Sequence, residues 1–324
     1  MKLQLILAIL LYVLLYFLRL HQGPWEIKTD VFSSQLQFLD HRISQFLPSP
    51  QAELLSGILL GQNKNLPGQL KLALRDTSTL HIVVASGQNL SIVAGFFLYL
   101  SGLIKRRNAV VLGLLAAAGY TLLTGLQVPI LRAALMFSAS SAAVLLGRGK
   151  DSWWILIVTA GLMLLINPTW ITNLSFQLSF LATLGVIVVS PILLKWLANI
   201  PILSGDLAVT LAAQIMVTPV IAANFHQLSL VSLITNVLVL WVISFIMIGG
   251  SAMLLVGLIW QTGGQLLALA VNAMLTYFIY IVEFFAHLPF AWEYVGDFSW
   301  LVWVGYYVIV ASVLIFLTAQ FDNS

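Results

Sequence analysis

From His81 onward the chain is almost uninterrupted hydrocarbon, run after run of Leu, Ile, Val, Phe and Ala separated by short polar joints. Runs of about 20 apolar residues match the thickness of a bilayer core when helical. In lipid the backbone must satisfy its own hydrogen bonds, which a helix does. Composition agrees: 60% of the 324 residues are hydrophobic and only 8% are charged, against roughly 25% charged in a soluble domain. A soluble enzyme, a disordered chain and a disulfide-stapled secreted scaffold are excluded. The expected fold is an all-α polytopic membrane protein. It would be a bundle of about nine to eleven transmembrane helices, with interfacial amphipathic helices and a broken or re-entrant segment near 81–91.

Several chemistries drop out. There is no cysteine, so thiolate metal sites, iron–sulfur clusters and thiol nucleophiles are excluded. His21, His41, His81, His226 and His287 form no HxH or HExxH pattern, so no metal site is expected. No GxxxxGK[ST] run exists, and Gly147 to Ser152 lacks that spacing, so the chain is not expected to hydrolyse nucleotides itself. No cofactor and no catalytic residue are expected.

Three regions follow. Residues 1–24 form an N-terminal transmembrane anchor: positions 3–18 are uncharged, Arg19 closes the run, and no A-x-A-like cleavage site comes after it. Residues 25–80 form extracytoplasmic interfacial helices. The stretch 21–80 concentrates charges and holds four of the ten prolines. Within it Phe32, Leu36, Leu39, Ile43 and Phe46 recur at steps of three or four, which predicts one apolar helical stripe stopped by Pro48 and Pro50. A second short helix is expected from Pro67 to about Thr77, because proline suits a first helical turn. Residues 81–324 form the polytopic channel core. Its expected spans are 81–103, 109–128, 129–147, 152–167, 171–191, 207–224, 229–258, 264–286 and 298–319. The stretch 229–258 is long for one span; it is either two segments broken at Gly249-Gly250 or one tilted helix. Lys105, Arg106, Arg107, Arg148, Lys150 and Lys195 crowd short loops, which favours a cytoplasmic N-terminus.

The informative residues are polar groups inside apolar runs, where each unsatisfied group costs several kcal/mol, roughly. His81 is followed by Ser86-Gly87-Gln88-Asn89, a composition suited either to half-helix ends facing a polar path or to hydrogen-bonded packing between helices. Pro129 follows a tight reversal, and Arg132 then enters the next helix. A guanidinium there is a natural phosphate ligand, or it snorkels to headgroups. Asn173 and Gln177 form one line on a helix, and Ser175, Ser179 and Thr183 form another. Gln214 precedes Pro219, which can kink its span. Asn236 stands alone in an apolar run, as interhelical glue often does.

These motifs come in an order that resembles the ComEC competence family. The stretch Gly61 to Gly95, with Leu66-Pro67, His81 and Ala85-Ser86-Gly87, resembles the start of the family's competence domain, which reads roughly HLLAISGLHVG there. Leu131-Arg132-Ala133-Ala134-Leu135-Met136 resembles its R-A-x-x-M helix. Asn167-Pro168 with Ser175-Phe176-Gln177-Leu178-Ser179-Phe180 resembles its NP…FQLSF segment, and Gln214, Pro219, Phe225 and Asn236 fit later motifs. The competence domain would cover about 28–320. Asn89 replaces the family's second histidine, and Trp241 stands where a proline usually follows. The resemblance implies an inner-membrane channel that passes single-stranded DNA into the cytoplasm during natural transformation. The chain leaves no room for the family's OB-fold insert or its metallo-β-lactamase-like domain, so a minimal form is expected. Arg132, Ser86, Gly87, Asn89, Asn173, Gln177 and Gln214 would contact DNA; His81, Pro129, Pro219 and Asn236 would break or pack helices. Implied partners are single-stranded DNA, the lipid membrane, a cytoplasmic helicase-like ATPase, an extracytoplasmic DNA-binding receptor and a separate nuclease. A homo-oligomer stays open. The alternative is a small-solute transporter or exporter, since broken helices serve transporters equally. A third class is a membrane enzyme using Ser86 with His81 or His226 as base.

Overall fold

The computed structural model describes residues 2–23, 32–62, 64–83, 86–147, 149, 151–197, 204–296 and 299–322. In chain order the helices are α1 (Lys2–Gln22), α2 (Ser33–Phe46), α3 (Gln51–Leu60), α4 (Gly68–Asp76), α5 (Leu80–Val83), α6 (Gly87–Tyr99), α7 (Arg106–Leu123), α8 (Val128–Leu145), α9 (Ser152–Ile166), α10 (Leu174–Val188), α11 (Ser190–Trp196), α12 (Ser204–Phe225), α13 (Ser232–Ile259), α14 (Gln261–Ala286) and α15 (Trp300–Asp322). Two short strands, β1 (Gln227–Ser229) and β2 (Trp292–Tyr294), pair antiparallel. The all-α membrane fold is therefore found.

Among the described residues five helices are long and apolar enough to cross a membrane: α8, α12, α13, α14 and most of α15. A sixth is counted if α10 and α11, bent by 45° at their junction, form one span. Of the other expected spans, those at 1–24 and 109–128 are α1 and α7, of 21 and 18 residues, and the rest are shorter helices. The expected 152–167 span is the 15-residue α9, and the 81–103 span is divided before α6.

The chain forms two compact units. The first comprises Met1–Phe32 and Val93–Phe180. There α1 is tied to α9. Arg19 donates from Nε to the Leu165 carbonyl and from Nη2 to the Ile166 carbonyl, each at 3.0 Å, and so serves carbonyls at the C-terminal end of α9 that have no helical donor. Tyr12 donates to the Gly161 carbonyl at 3.3 Å.

The second unit comprises Ser33–Ile92 and Leu181–Ser324. Its core is the long hairpin of α13 and α14. The expected alternatives for 229–258 resolve as one 28-residue helix with no break at Gly249-Gly250. The glycines there serve close packing. A Cβ on Gly250 would meet Leu55 Cδ1 at 2.7 Å, and one on Gly257 would meet Phe46 Cζ at 2.5 Å. A Cβ on Gly264 would lie 3.0 Å from Phe46. Phe46, at the end of α2, thus occupies a notch cut by two glycines on neighbouring helices. The α2 and α4 bounds follow the expected stripe and the Pro67 start. Between them, α3 is largely buried, with Leu54, Leu55 and Ile58 at 0% exposure. It packs against α13 and α14.

Candidate functional site

In the first unit Arg132 meets Ser179, Met136 and Phe180. Gly125 (φ +80°) and Leu126 (φ +54°) reverse the chain after α7, and Pro129 lies in the first turn of α8. Arg132 follows about one turn into that helix. Its Nε donates to Ser179 Oγ on α10 at 2.6 Å, and Nη1 approaches Met136 Sδ at 3.5 Å. Its guanidinium carbon lies 6.0 Å from the Phe180 ring centroid. A guanidinium over a ring face gains a cation–π attraction. The planar group is thereby fixed by a hydroxyl and a ring, and it places a positive charge between two apolar helices. Ser179 was read as one step of a hydroxyl line; its role as a partner of Arg132 is a tertiary fact that the line did not reveal.

Asn173 and Gln177 serve backbone near their own helix start. Asn173 Oδ1 accepts from the Phe176 N–H at 3.2 Å, three residues on, as an N-terminal cap does. Gln177 Nε2 donates to the Ile171 carbonyl at 2.9 Å. Asn167 Oδ1 accepts from the Thr169 N–H at 3.0 Å and caps the short 3-10 turn Pro168–Thr172. These contacts explain why Asn stands just before these two helical starts.

In the second unit the break near 81–91 is present: α5 ends at Val83 and α6 begins at Gly87. His81 Nδ1 is 2.8 Å from the Ser78 carbonyl. Ser86 Oγ donates to Asn89 Oδ1 at 3.0 Å, and Asn89 Nδ2 donates to the Ile58 carbonyl at 2.7 Å. Ile58 sits in the last turn of α3, where carbonyls lack helical donors. Asn89 is 1% exposed and thus joins the start of α6 to the end of α3. Gly87 is the first residue of α6, and its carbonyl accepts from Ser91 Oγ at 2.9 Å.

The same unit holds a second polar patch where α12 meets α13. Gln214 Nε2 donates to Ser232 Oγ at 2.6 Å. Gln214 Oε1 and Asn236 Oδ1 are buried and accept no hydrogen bond among the described residues. Ser232 and Asn236 are four apart and so share a helix face. Pro219 lies inside α12, which continues through it. The carbonyl that its ring leaves without a donor, Ile215, accepts from Tyr306 Oη of α15 at 3.0 Å; Met216 accepts from Tyr307 Oη at 2.8 Å. Sequence reading named Pro219 and missed both tyrosines. No group of three His, Asp or Glu suited to a metal occurs among the described residues.

A multi-pass helical bundle with polar groups held inside its helices defines a class, the integral membrane proteins with internal polar sites. Comparison with known proteins narrows it: the family model for "Competence protein" matches residues 58–320, and the chain belongs to this family, that of the ComEC competence proteins. It is 28% identical to ComE operon protein 3 of Bacillus subtilis over 231 residues, 70% of this chain and 29% of that protein. It is 27% identical to the uncharacterized protein YcaI of Escherichia coli over 237 residues, 66% of this chain and 30% of that protein. An uncharacterized Aquifex aeolicus protein is 34% identical over 133 residues, 40% of this chain and 32% of that one. The chain therefore spans about three-tenths of the length of these curated relatives. No solved structure matches it.

Proposed function

We propose that this chain is the channel part of a DNA-uptake system and passes single-stranded DNA across the inner membrane during natural transformation. The observation that carries the reading is the family match over 58–320. The N-terminus lies in the cytoplasm and the α2–α4 region outside.

The chemistry of the two units suits such a task. A path for any sequence must use phosphates and base faces, because base edges differ. Arg132 offers a planar fork that matches phosphate oxygens, oriented by Ser179 and Met136. Ser86, Gly87, Asn173, Gln177 and Gln214 offer neutral contacts, and such weak contacts let a strand leave as readily as it enters. Asn89 acts as the brace that keeps the broken segment open. The chain does no chemistry on DNA. A helicase-like ATPase supplies the driving force, a receptor delivers the strand, and a separate nuclease removes its complement.

The test is entry of labelled DNA into the cytoplasm of a deletion strain carrying wild-type protein, Arg132→Ala or Ser86→Leu. Loss of entry in the deletion strain and in both variants supports the reading. Normal entry without the protein overturns the function; normal entry in both variants overturns the residue assignment. Substrate-dependent efflux of a small solute with no DNA phenotype would replace it with a transporter.

A further inference from the structure

The paired strands β1 and β2 lie outside the membrane-crossing helices and take no part in the site described above. Their register sets Gln227 against Tyr294, Leu228 against Glu293 and Ser229 against Trp292. Side chains alternate across a strand, so Trp292 and Tyr294 share one face while Glu293 and Leu228 share the other. Trp292 is 41% exposed and Tyr294 65% exposed. The ribbon that carries them is firmly held: Val295 N–H donates to the His226 carbonyl and Leu230 N–H to that of Ala291, each at 3.0 Å. Ala291 itself is buried.

A cation stands beside this face. Gln227 Nε2 donates to Asp76 Oδ1 at 3.3 Å, and the same oxygen receives Arg75 Nε at 3.0 Å and Nη2 at 2.9 Å. One carboxylate oxygen therefore ties the Arg75 guanidinium to the residue paired with Tyr294. Arg75 keeps 45% of its side chain exposed. Lys71 lies four residues earlier on α4, on the same helix face, and is exposed. On α4 Asp76 offsets one positive charge and leaves one in excess; Glu293 of the ribbon lies on the face opposite the rings.

We infer that this ribbon, with Lys71 and Arg75, is a capture platform for single-stranded DNA at the mouth of the protein, a proposal that rests on the function given above. Residues two apart on a strand are about 6.8 Å apart, roughly twice the 3.4 Å rise of stacked bases in a duplex. Two rings so spaced suit successive bases of a strand drawn out of its stack. Aromatic side chains on strands, with cations beside them for phosphate, bind single strands without regard to sequence. The bond between Gln227 and Asp76 puts the platform on the side of α4, the side from which DNA arrives. Aromatic anchoring in lipid headgroups is the competing role for Trp and Tyr; the adjoining cations and the polar Gln227 and Ser229 opposite the rings on β1 favour nucleic acid.

The experiment measures anisotropy of a fluorescein-labelled oligo-dT of roughly 16 nucleotides with the full chain in nanodiscs of zwitterionic lipid. Trp292→Ala/Tyr294→Ala should weaken binding at least about tenfold, since each stacked base contributes on that scale. Trp292→Phe/Tyr294→Phe, which keeps the rings, should stay within about threefold of wild type. Lys71→Gln/Arg75→Gln should flatten the dependence of affinity on salt. Wild-type binding matched by the double alanine variant overturns the platform and leaves the channel reading standing. Equal DNA affinity with lost thermal stability in lipid identifies a membrane anchor and likewise overturns it. Absence of oligonucleotide binding by the wild type, with normal DNA entry in the deletion strain, overturns the channel reading and the platform together.

Discussion

Tyr306 donates its phenol to the Ile215 carbonyl at 3.0 Å, the carbonyl four residues before Pro219 that the proline ring leaves without a helical donor. The span α12 thus tolerates a proline because α15 supplies the missing bond, and Tyr307 adds a bond to the next carbonyl, that of Met216. The defect and its repair lie 87 positions apart in sequence (219 to 306).

Removing the repair should expose the defect. Tyr306→Phe strands the Ile215 carbonyl in an apolar setting and should destabilise the protein by about 1–2 kcal/mol. In Pro219→Ala the restored N–H can take that carbonyl, so Tyr306→Phe should then cost less than half as much. Unfolding in mixed micelles across the four proteins of this double-mutant cycle gives the coupling. Additive losses would mean that the tyrosine and the proline are independent.

Asn89 uses both ends of its amide at a position 1% exposed. Asn89→Leu fills similar space and leaves the Ile58 carbonyl unpaired, for an expected loss of about 1–3 kcal/mol. Asn89→Asp still accepts from Ser86 but sets a carboxylate against that carbonyl, and should lose more. Hydrogen exchange at the end of α3 and the start of α6 is the readout. Protection unchanged in both variants would refute the brace.

Two glycines separate backbone crowding from side-chain crowding. A Cβ on Gly185 would strike the carbonyl oxygen of Ala212 in α12, whereas one on Gly257 meets the ring of Phe46 at 2.5 Å. Both Ala substitutions should destabilise by roughly 1–3 kcal/mol. Phe46→Leu should recover much of the loss in Gly257→Ala, because a smaller side chain can yield. No truncation near Gly185 should rescue Gly185→Ala, because backbone cannot. Thermal midpoints in detergent distinguish the two cases.

Arg132 separates charge from shape. Arg132→Lys keeps the charge but loses the planar fork and the Nε bond to Ser179. DNA entry in that variant should fall between wild type and Arg132→Gln. Equal entry in the lysine and arginine proteins would show that charge alone suffices.

Much of this was legible in the sequence, and what was not has a common physical cause. The stripe from Phe32 to Phe46, the start at Pro67, the break after His81 and the reversal before Pro129 are local: a few neighbouring side chains decide them. The burial of α3 is not local. Glu53-Leu54-Leu55-Ser56-Gly57-Ile58 reads as a weakly amphipathic stretch, and only the notches on α13 and α14 make it core. Gly249-Gly250 read as a break because glycine weakens an isolated helix; packing against Leu55 and Leu59 uses the same absence of a side chain and keeps the helix whole. Arg132 was visible as an oddity, but Ser179 as its partner required two helices to be set side by side. Where the sequence read a span at 152–167, the helix α9 is only 15 residues long, because hydropathy does not register where a helix stops.

The seating of α2 and α3 on α13 and α14 also sets an order of events. Gln51 bonds Thr276 across 225 residues of chain. At 5–20 residues per second, synthesis reaches Thr276 roughly 10–45 s after Gln51 has emerged. Until then α3 has α2 beside it but neither α13 nor α14 to cover its Leu54, Leu55 and Ile58, and the notch for Phe46 does not exist. This part of the protein cannot be finished as it is made; it waits for the last third of the chain.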